Sequence, residues 1–186
     1  EQKYGIRAVA VQADVSIETD CELIIKHALA SFRKIDILVN NAGLSMRALF
    51  KDVELSVLKN LMDVNFWGTV YCTKYALPEI LKNKGAVVAV SSIAGYRGLP
   101  GRTGYSASKF AMNGFIESLR TELLKTGVNV LLACPGFTSS NIRVAALAKD
   151  GEAHGETSME EGKMMTSEQV AINIADGIEN GKRTLI

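Results

Sequence analysis

Gly85-Ala86-Val87-Val88-Ala89-Val90-Ser91-Ser92, residues 85–92, sets five apolar residues between a glycine and two serines. A strand with one wet face would alternate apolar and polar residues; this run does not, so it suits a strand covered on both faces. Ile37-Leu38-Val39, inside an expected strand from Ile35 to Asn40, reads the same way. Further strands are expected at Arg7 to Gln12 and Val128 to Ala133. Helical patterns separate them, at Ile17 to Arg33, Glu54 to Asn83, Tyr105 to Lys125 and Thr166 to Asn180. This alternation predicts an α/β protein with a parallel, doubly wound sheet in three α/β/α layers. Thr166-Ser167-Glu168-Gln169 has the form in which two side chains satisfy the orphan amides of a helix start, and Gly181 is placed to end that helix.

The 186 residues suit one domain, 1–186, with 47% hydrophobic and 22% charged residues and only three prolines. A net charge of +1 without blocks of either sign predicts no nucleic-acid partner and no anionic membrane surface. The longest apolar runs, Ala86 to Val90 and Val130 to Cys134, fall far short of the ~20 residues that span a bilayer. A small molecule is the expected partner. Cys21, Cys72 and Cys134 are odd in number and widely spaced, which predicts reduced thiols and a cytoplasmic location. His27 and His154 are too isolated for a metal cage, so no metal is expected. Gly104-Tyr105-Ser106-Ala107-Ser108 lacks the last glycine of a hydrolase nucleophile elbow. Gly95, Gly98, Gly101 and Gly104 match no phosphate-binding spacing and read as a flexible crossover.

Tyr105 and Lys109 stand four residues apart at the start of a helix, so both side chains rise from one face. A nearby ammonium favours phenolate, which predicts that Lys109 brings Tyr105 toward useful acid/base strength. Ser92 follows the apolar strand, at the carboxyl edge where open α/β sheets hold ligands, and its hydroxyl could polarise a carbonyl there.

Together with Asn40-Asn41-Ala42-Gly43, Val64-Asn65-Phe66-Trp67-Gly68, Ser91-Ser92-Ile93-Ala94-Gly95, Tyr105-Ser106-Ala107-Ser108-Lys109 and Cys134-Pro135-Gly136, the chain resembles the classical short-chain dehydrogenase/reductase family over nearly its whole length. The resemblance implies a Rossmann-type sheet and NAD or NADP as cofactor. It implies Tyr105 as general acid/base, Ser92 as donor to the substrate oxygen, and Lys109 as both tuner of Tyr105 and holder of the nicotinamide ribose. Asn65 would anchor a water-linked proton relay. Asp14 and Val15 would meet the adenine, and Asn41, Ala42 and Gly43 the adenosine ribose. Pro135, Gly136, Thr138 and Ser140 would grip the nicotinamide, Ser140 standing where a threonine is commoner in the family.

The same resemblance implies that the family's first strand, its glycine-rich turn and the strand that reads the 2' position are not in this chain. Both ends read as cut, so the chain is expected to be part of a longer protein, with the choice between NAD and NADP lying outside it. The expected activity interconverts a carbonyl and a secondary alcohol by hydride transfer. The rivals are a noncatalytic fragment or binding subunit without cofactor, and an epimerase or dehydratase on the same scaffold. Asn141 to Met165, glycine-rich and bearing Met159, Met164 and Met165, is expected to be a substrate lid. Family members commonly pair the helices Glu54 to Asn83 and Tyr105 to Lys125, which implies a homodimer or homotetramer with Phe66, Trp67, Tyr71, Phe110 and Phe115 supplying apolar area.

Overall fold

A computed structural model describes residues 5–155 and 164–186. Helix α1 (Glu18–Phe32) precedes strand β1 (Ile37–Asn40). A long helical passage follows, made of α2 (Leu55–Leu61), a π-helical turn (Met62–Trp67) and α3 (Gly68–Asn83). Strand β2 (Ala86–Val90) leads through a 3-10 turn (Ile93–Gly95) into α4 (Thr103–Glu122) and β3 (Asn129–Ala133). The last elements are β4 (Thr138–Ser139), β5 (Met165–Thr166), α5 (Ser167–Glu179) and β6 (Thr184–Leu185). Among the described residues the main sheet runs in the order β1-β2-β3-β6, parallel throughout, and β4 pairs with β5 beside it.

Successive strand residues point to opposite faces, and the two faces of this sheet are covered differently. Val87, Ala89, Val130 and Leu132 form one core with Ile25 of α1, Ala76 and Ile80 of α3, and Met112, Ile116 and Leu119 of α4. On the other face α5 lies against β3 and β6, where Gly177 lets it approach Leu131 and Leu185. This is the expected Rossmann-type arrangement of three layers. Strand β2 is buried on both faces, as its unbroken apolar run requires. Strand β1 departs from that expectation: Ile37 and Val39 remain 48% and 46% exposed. Leu38 and Asn40 face the α3 side, where Asn40 donates to the Thr73 hydroxyl at 3.0 Å, whereas α5 lies mainly against β3 and β6 of this sheet.

Arg7 to Gln12 does not form the expected strand. A strand exists by its ladder, and β1 ends the described sheet without a neighbour on its outer side. Ile6 and Val9 are exposed accordingly. The expected single helix from Glu54 to Asn83 is continuous in path but loosened at Met62–Trp67 into a π turn. The capping box at α5 is present as read: the Gln169 amide donates to Thr166 Oγ1 at 3.1 Å, and the Thr166 amide donates to Gln169 Oε1 at 3.0 Å. Gly181 follows in the left-handed region, φ 60°, where glycine carries no Cβ penalty.

Candidate active site

Tyr105 enters the site from the first turn of α4 and is buried in an apolar cluster with Met46, Leu61, Ala94 and Leu147. Ser92 caps the 3-10 turn that leaves β2, its hydroxyl accepting the Ala94 amide at 3.2 Å. That turn is pinned on both sides. The Ile93 amide donates to the Pro135 carbonyl at 3.3 Å, and Ser91 donates to Asn113 Oδ1 at 2.6 Å while Asn113 donates to the Gly95 carbonyl at 3.0 Å. Asn113 lies one turn beyond Lys109, so α4 presents Tyr105, Lys109 and Asn113 as one stripe. The four-residue repeat was the signal by which the sequence could have given up Asn113.

Lys109 is only 3% exposed, and its ammonium donates to the Val90 carbonyl at 2.9 Å. Burial lowers its pKa to about 8. Burial pushes the Tyr105 phenol up, against the opposing pulls of the Ser92 hydroxyl beside it and of the Arg102 guanidinium. Among the charges near Tyr105, the Arg102 guanidinium favours the phenolate. The Lys109 ammonium sits 5.8 Å from the centre of the Tyr105 ring and spends a hydrogen on Val90.

Asn65 occupies the π turn, a kind of distortion that recurs at functional sites. Its Oδ1 accepts the Leu44 amide at 2.8 Å, and its Nδ2 donates to the Leu44 carbonyl at 2.9 Å and to Ser108 Oγ at 2.8 Å. Both amide hydrogens are therefore used in holding the segment after β1 against α4. With the Leu44 amide on Oδ1, one lone pair of that oxygen remains. A Cβ added at Gly43 would stand 3.1 Å from Asn65 Oδ1 and 3.6 Å from Lys109 Nζ. Gly43, Asn65 and Lys109 thus bound a polar cradle that a larger residue would fill, beside Ser92 and Tyr105.

The other expected cofactor residues are spread around this centre. Asn41 and Ala42 are exposed at the end of β1. Asp14 accepts the Ser16 amide and hydroxyl at 2.9 and 2.8 Å, which lowers its pKa, and so organises the turn into α1. Val15 packs on Gly68, where α3 begins three residues after Asn65. Pro135 and Gly136 lie against the Ser92 turn through Ile93, Thr138 turns its hydroxyl to the Gly136 carbonyl at 3.2 Å, and Ser140 faces a shallow depression beside Asn141 and Val144. A pocket of about 270 Å³ on the α5 side of Pro135 and Gly136, walled by Cys134, Met165, Ile174 and Leu185, does not reach Ser92, Tyr105 or Lys109.

The thiols are not rivals as nucleophiles, since burial raises all three and takes Cys21 to about 12. Of the expected lid 141–165, residues 156–163 lie outside the described residues. The described part is tied to the body, with Leu147 bridging Met46 and the Glu54 amide donating to the Lys149 carbonyl at 2.8 Å.

A family model described as short chain dehydrogenase matches residues 1–151. This chain belongs to the short-chain dehydrogenase family. Among its relatives in that family is an Arabidopsis thaliana protein named 11-beta-hydroxysteroid dehydrogenase-like 4A, 41% identical over 138 residues, which covers 73% of this chain and 46% of that protein. Dehydrogenase/reductase SDR family member 7B is 33% identical over 159 residues in Mus musculus, covering 85% of this chain and 49% of that protein. Its Xenopus laevis counterpart is 35% identical over 154 residues, with coverages of 82% and 48%. This short-chain dehydrogenase chain therefore spans about half the length of the curated relatives it matches.

Proposed function

We propose that the chain carries the reaction centre of an NAD(P)-dependent oxidoreductase that interconverts a carbonyl and a secondary alcohol. The observation that carries this reading is the meeting of Ser92, Tyr105 and Lys109 at the carboxyl edge of β2, next to a cradle that only glycine at position 43 leaves open. The cradle suits the ribose end of a nicotinamide dinucleotide, since Lys109 Nζ and Asn65 Oδ1 offer a donor and an acceptor to vicinal hydroxyls. When bound, the cofactor supplies or takes the hydride at the substrate carbon. Ser92 holds the substrate oxygen by its hydroxyl. Tyr105 gives that oxygen its proton in reduction and takes it back in oxidation. The apolar wall of Met46, Ala94 and Leu147 excludes water around the phenol.

The test is oxidation of NADH and NADPH by the intact protein over a panel of ketones, followed by the reverse reaction with the matching alcohols. Turnover with at least one cofactor is expected. No turnover in either direction with both cofactors would favour a binding subunit without catalysis.

Lys109 gives the reading a pH signature. Its folded pKa of about 8 lies below the ordinary 10.5, so between those values the folded state holds fewer protons than the unfolded chain. Stability from this group is complete above about pH 10.5, and is lost as pH falls through about 8. The stability of the wild type relative to Lys109→Met is expected to rise over that window, by up to ~1.4 kcal/mol per pH unit. Urea unfolding at pH 7 to 10.5 measures it, and a flat difference would show that Lys109 is not held in a desolvated site.

A further inference from the structure

We infer that Asn113 is a positioning residue for the reaction: from one turn beyond Lys109 it clamps both ends of Ser91-Ser92-Ile93-Ala94-Gly95 and so fixes where the Ser92 hydroxyl points. The inference deepens the carbonyl–alcohol reading above and rests on it for the role of Ser92. Asn113 is 6% exposed and Ser91 5%, so their polar groups must find partners within the protein. Asn113 Oδ1 accepts the Ser91 hydroxyl at 2.6 Å, and Asn113 Nδ2 donates to the Gly95 carbonyl at 3.0 Å. One side-chain amide thus uses its acceptor on the residue before Ser92 and its donor on the third residue after it. A carboxylate at this position would lose the donor, and an aliphatic side chain would lose both.

The fit is close from the side of the turn as well. A Cβ added at Gly95 would lie 2.7 Å from Asn113 Nδ2, 3.0 Å from its Oδ1 and 2.9 Å from Ser91 Oγ. Gly95 lies outside the left-handed backbone region, so what this position requires is room for the amide and not a glycine conformation. Between the two clamped ends Ser92 is half-buried, and its Oγ accepts the Ala94 amide at 3.2 Å. That amide occupies a lone pair, and the Ser92 hydrogen stays available to a substrate oxygen. The Gly95 amide donates to the Ser92 carbonyl at 2.9 Å, so a shift of Gly95 is passed to Ser92. Because Tyr105, Lys109 and Asn113 stand on one stripe of α4, the helix that carries the phenol also sets the hydroxyl beside it.

The intact protein and its Asn113→Leu variant are compared in single-turnover reduction of a ketone at saturating cofactor, with cofactor affinity read by fluorescence titration. The rate is expected to fall about 10- to 100-fold, because a misplacement near ~1 Å can cost ~10²-fold. Cofactor Kd is expected to stay within about threefold, since Lys109 keeps its own bond to the Val90 carbonyl. A rate within about twofold of wild type, or a loss confined to cofactor affinity, overturns the inference. If Asn113 acts through Ser92, removing that hydroxyl removes its leverage. In a Ser92→Ala background Asn113→Leu is therefore expected to cost less than about twofold more. The same factor in both backgrounds overturns the inference, because a merely structural loss would persist without the Ser92 hydroxyl. Crystal structures of wild type and Asn113→Leu read the position without turnover. A Ser92 Oγ displaced by about 1 Å, with Tyr105 and Lys109 in place, sustains the inference even if no ketone reacts with either cofactor, an outcome that sinks the oxidoreductase reading alone. A Ser92 Oγ in its wild-type position overturns the inference even if ketones are reduced. Should Asn113→Leu fail to fold, Ser91→Ala removes one of the two ties and is expected to slow the reaction about 3- to 10-fold, with the same dependence on Ser92. An unchanged rate there or, without turnover, an unmoved Ser92 Oγ overturns the inference.

Discussion

Tyr105→Phe is expected to lower kcat by roughly 10²- to 10⁴-fold while the intact protein still binds its cofactor, because removing a positioned proton donor costs about that much. The ring stays where it is. Met46, Leu61, Ala94 and Leu147 pack the aromatic body, and the hydroxyl contributes only its contact with Ser92 and its place near Arg102. Thermal stability is therefore expected to change little, which separates a chemical loss from a folding loss. Lys109→Met should reduce both turnover and cofactor binding, since its ammonium borders the cradle at Gly43. Stopped-flow turnover beside cofactor fluorescence titration reads both quantities. Near-normal kcat in Tyr105→Phe at neutral pH would remove the proton from this residue and return the site to a binding role.

What the sequence revealed depended on how local each feature is. Ala86 to Val90 was readable because an apolar run without alternation needs cover on both faces, and the capping box at Thr166 because four consecutive residues contain it. Ser92, Tyr105 and Lys109 were readable as motifs, and the tertiary structure brings them together. The strand at Arg7 to Gln12 failed for the opposite reason: apolar residues suggest a strand, but a ladder requires a partner that the segment itself does not specify. Ile37 and Val39 were misread alike, because cover on the second face depends on where α5 ends. The π turn at Asn65 leaves no local pattern, being fixed by the hydrogen bonds that Leu44 and Ser108 make with its side chain. Arg102 was not singled out in the sequence because no motif marks it, and the structure adds its guanidinium to the charges that favour the Tyr105 phenolate. Spacing gave the right face of α4, on which the Lys109 ammonium lies 5.8 Å from the centre of the Tyr105 ring.

Gly85→Ala is expected to destabilise the protein by about 4 kcal/mol, enough to consume much of the ~5 to 15 kcal/mol that holds a domain folded. A Cβ at this position would lie 1.9 Å from the Asp36 carbonyl oxygen and 2.8 Å from its carbon, a collision with backbone that no side-chain rotation relieves. The oxygen has little room to retreat, because it accepts the Ala86 amide at 2.8 Å where β1 and β2 begin their pairing. Gly85 itself is clamped, its amide donating to the Ile80 carbonyl at 3.0 Å and its carbonyl accepting the Asn129 amide at 2.9 Å. Relief must open one or more of these bonds at ~1 kcal/mol each, on top of overpacking that costs ~1 to 3 kcal/mol. Gly114 supplies the contrast within the same chain. It sits in α4 with nothing within 4 Å of an added Cβ, so Gly114→Ala is expected to gain roughly 0.8 to 1 kcal/mol from helix propensity alone. Urea melts of the two variants should therefore move in opposite directions from the wild type. A Gly85→Ala protein within 1 kcal/mol of the wild type would mean that β1 and β2 do not meet this closely at this glycine.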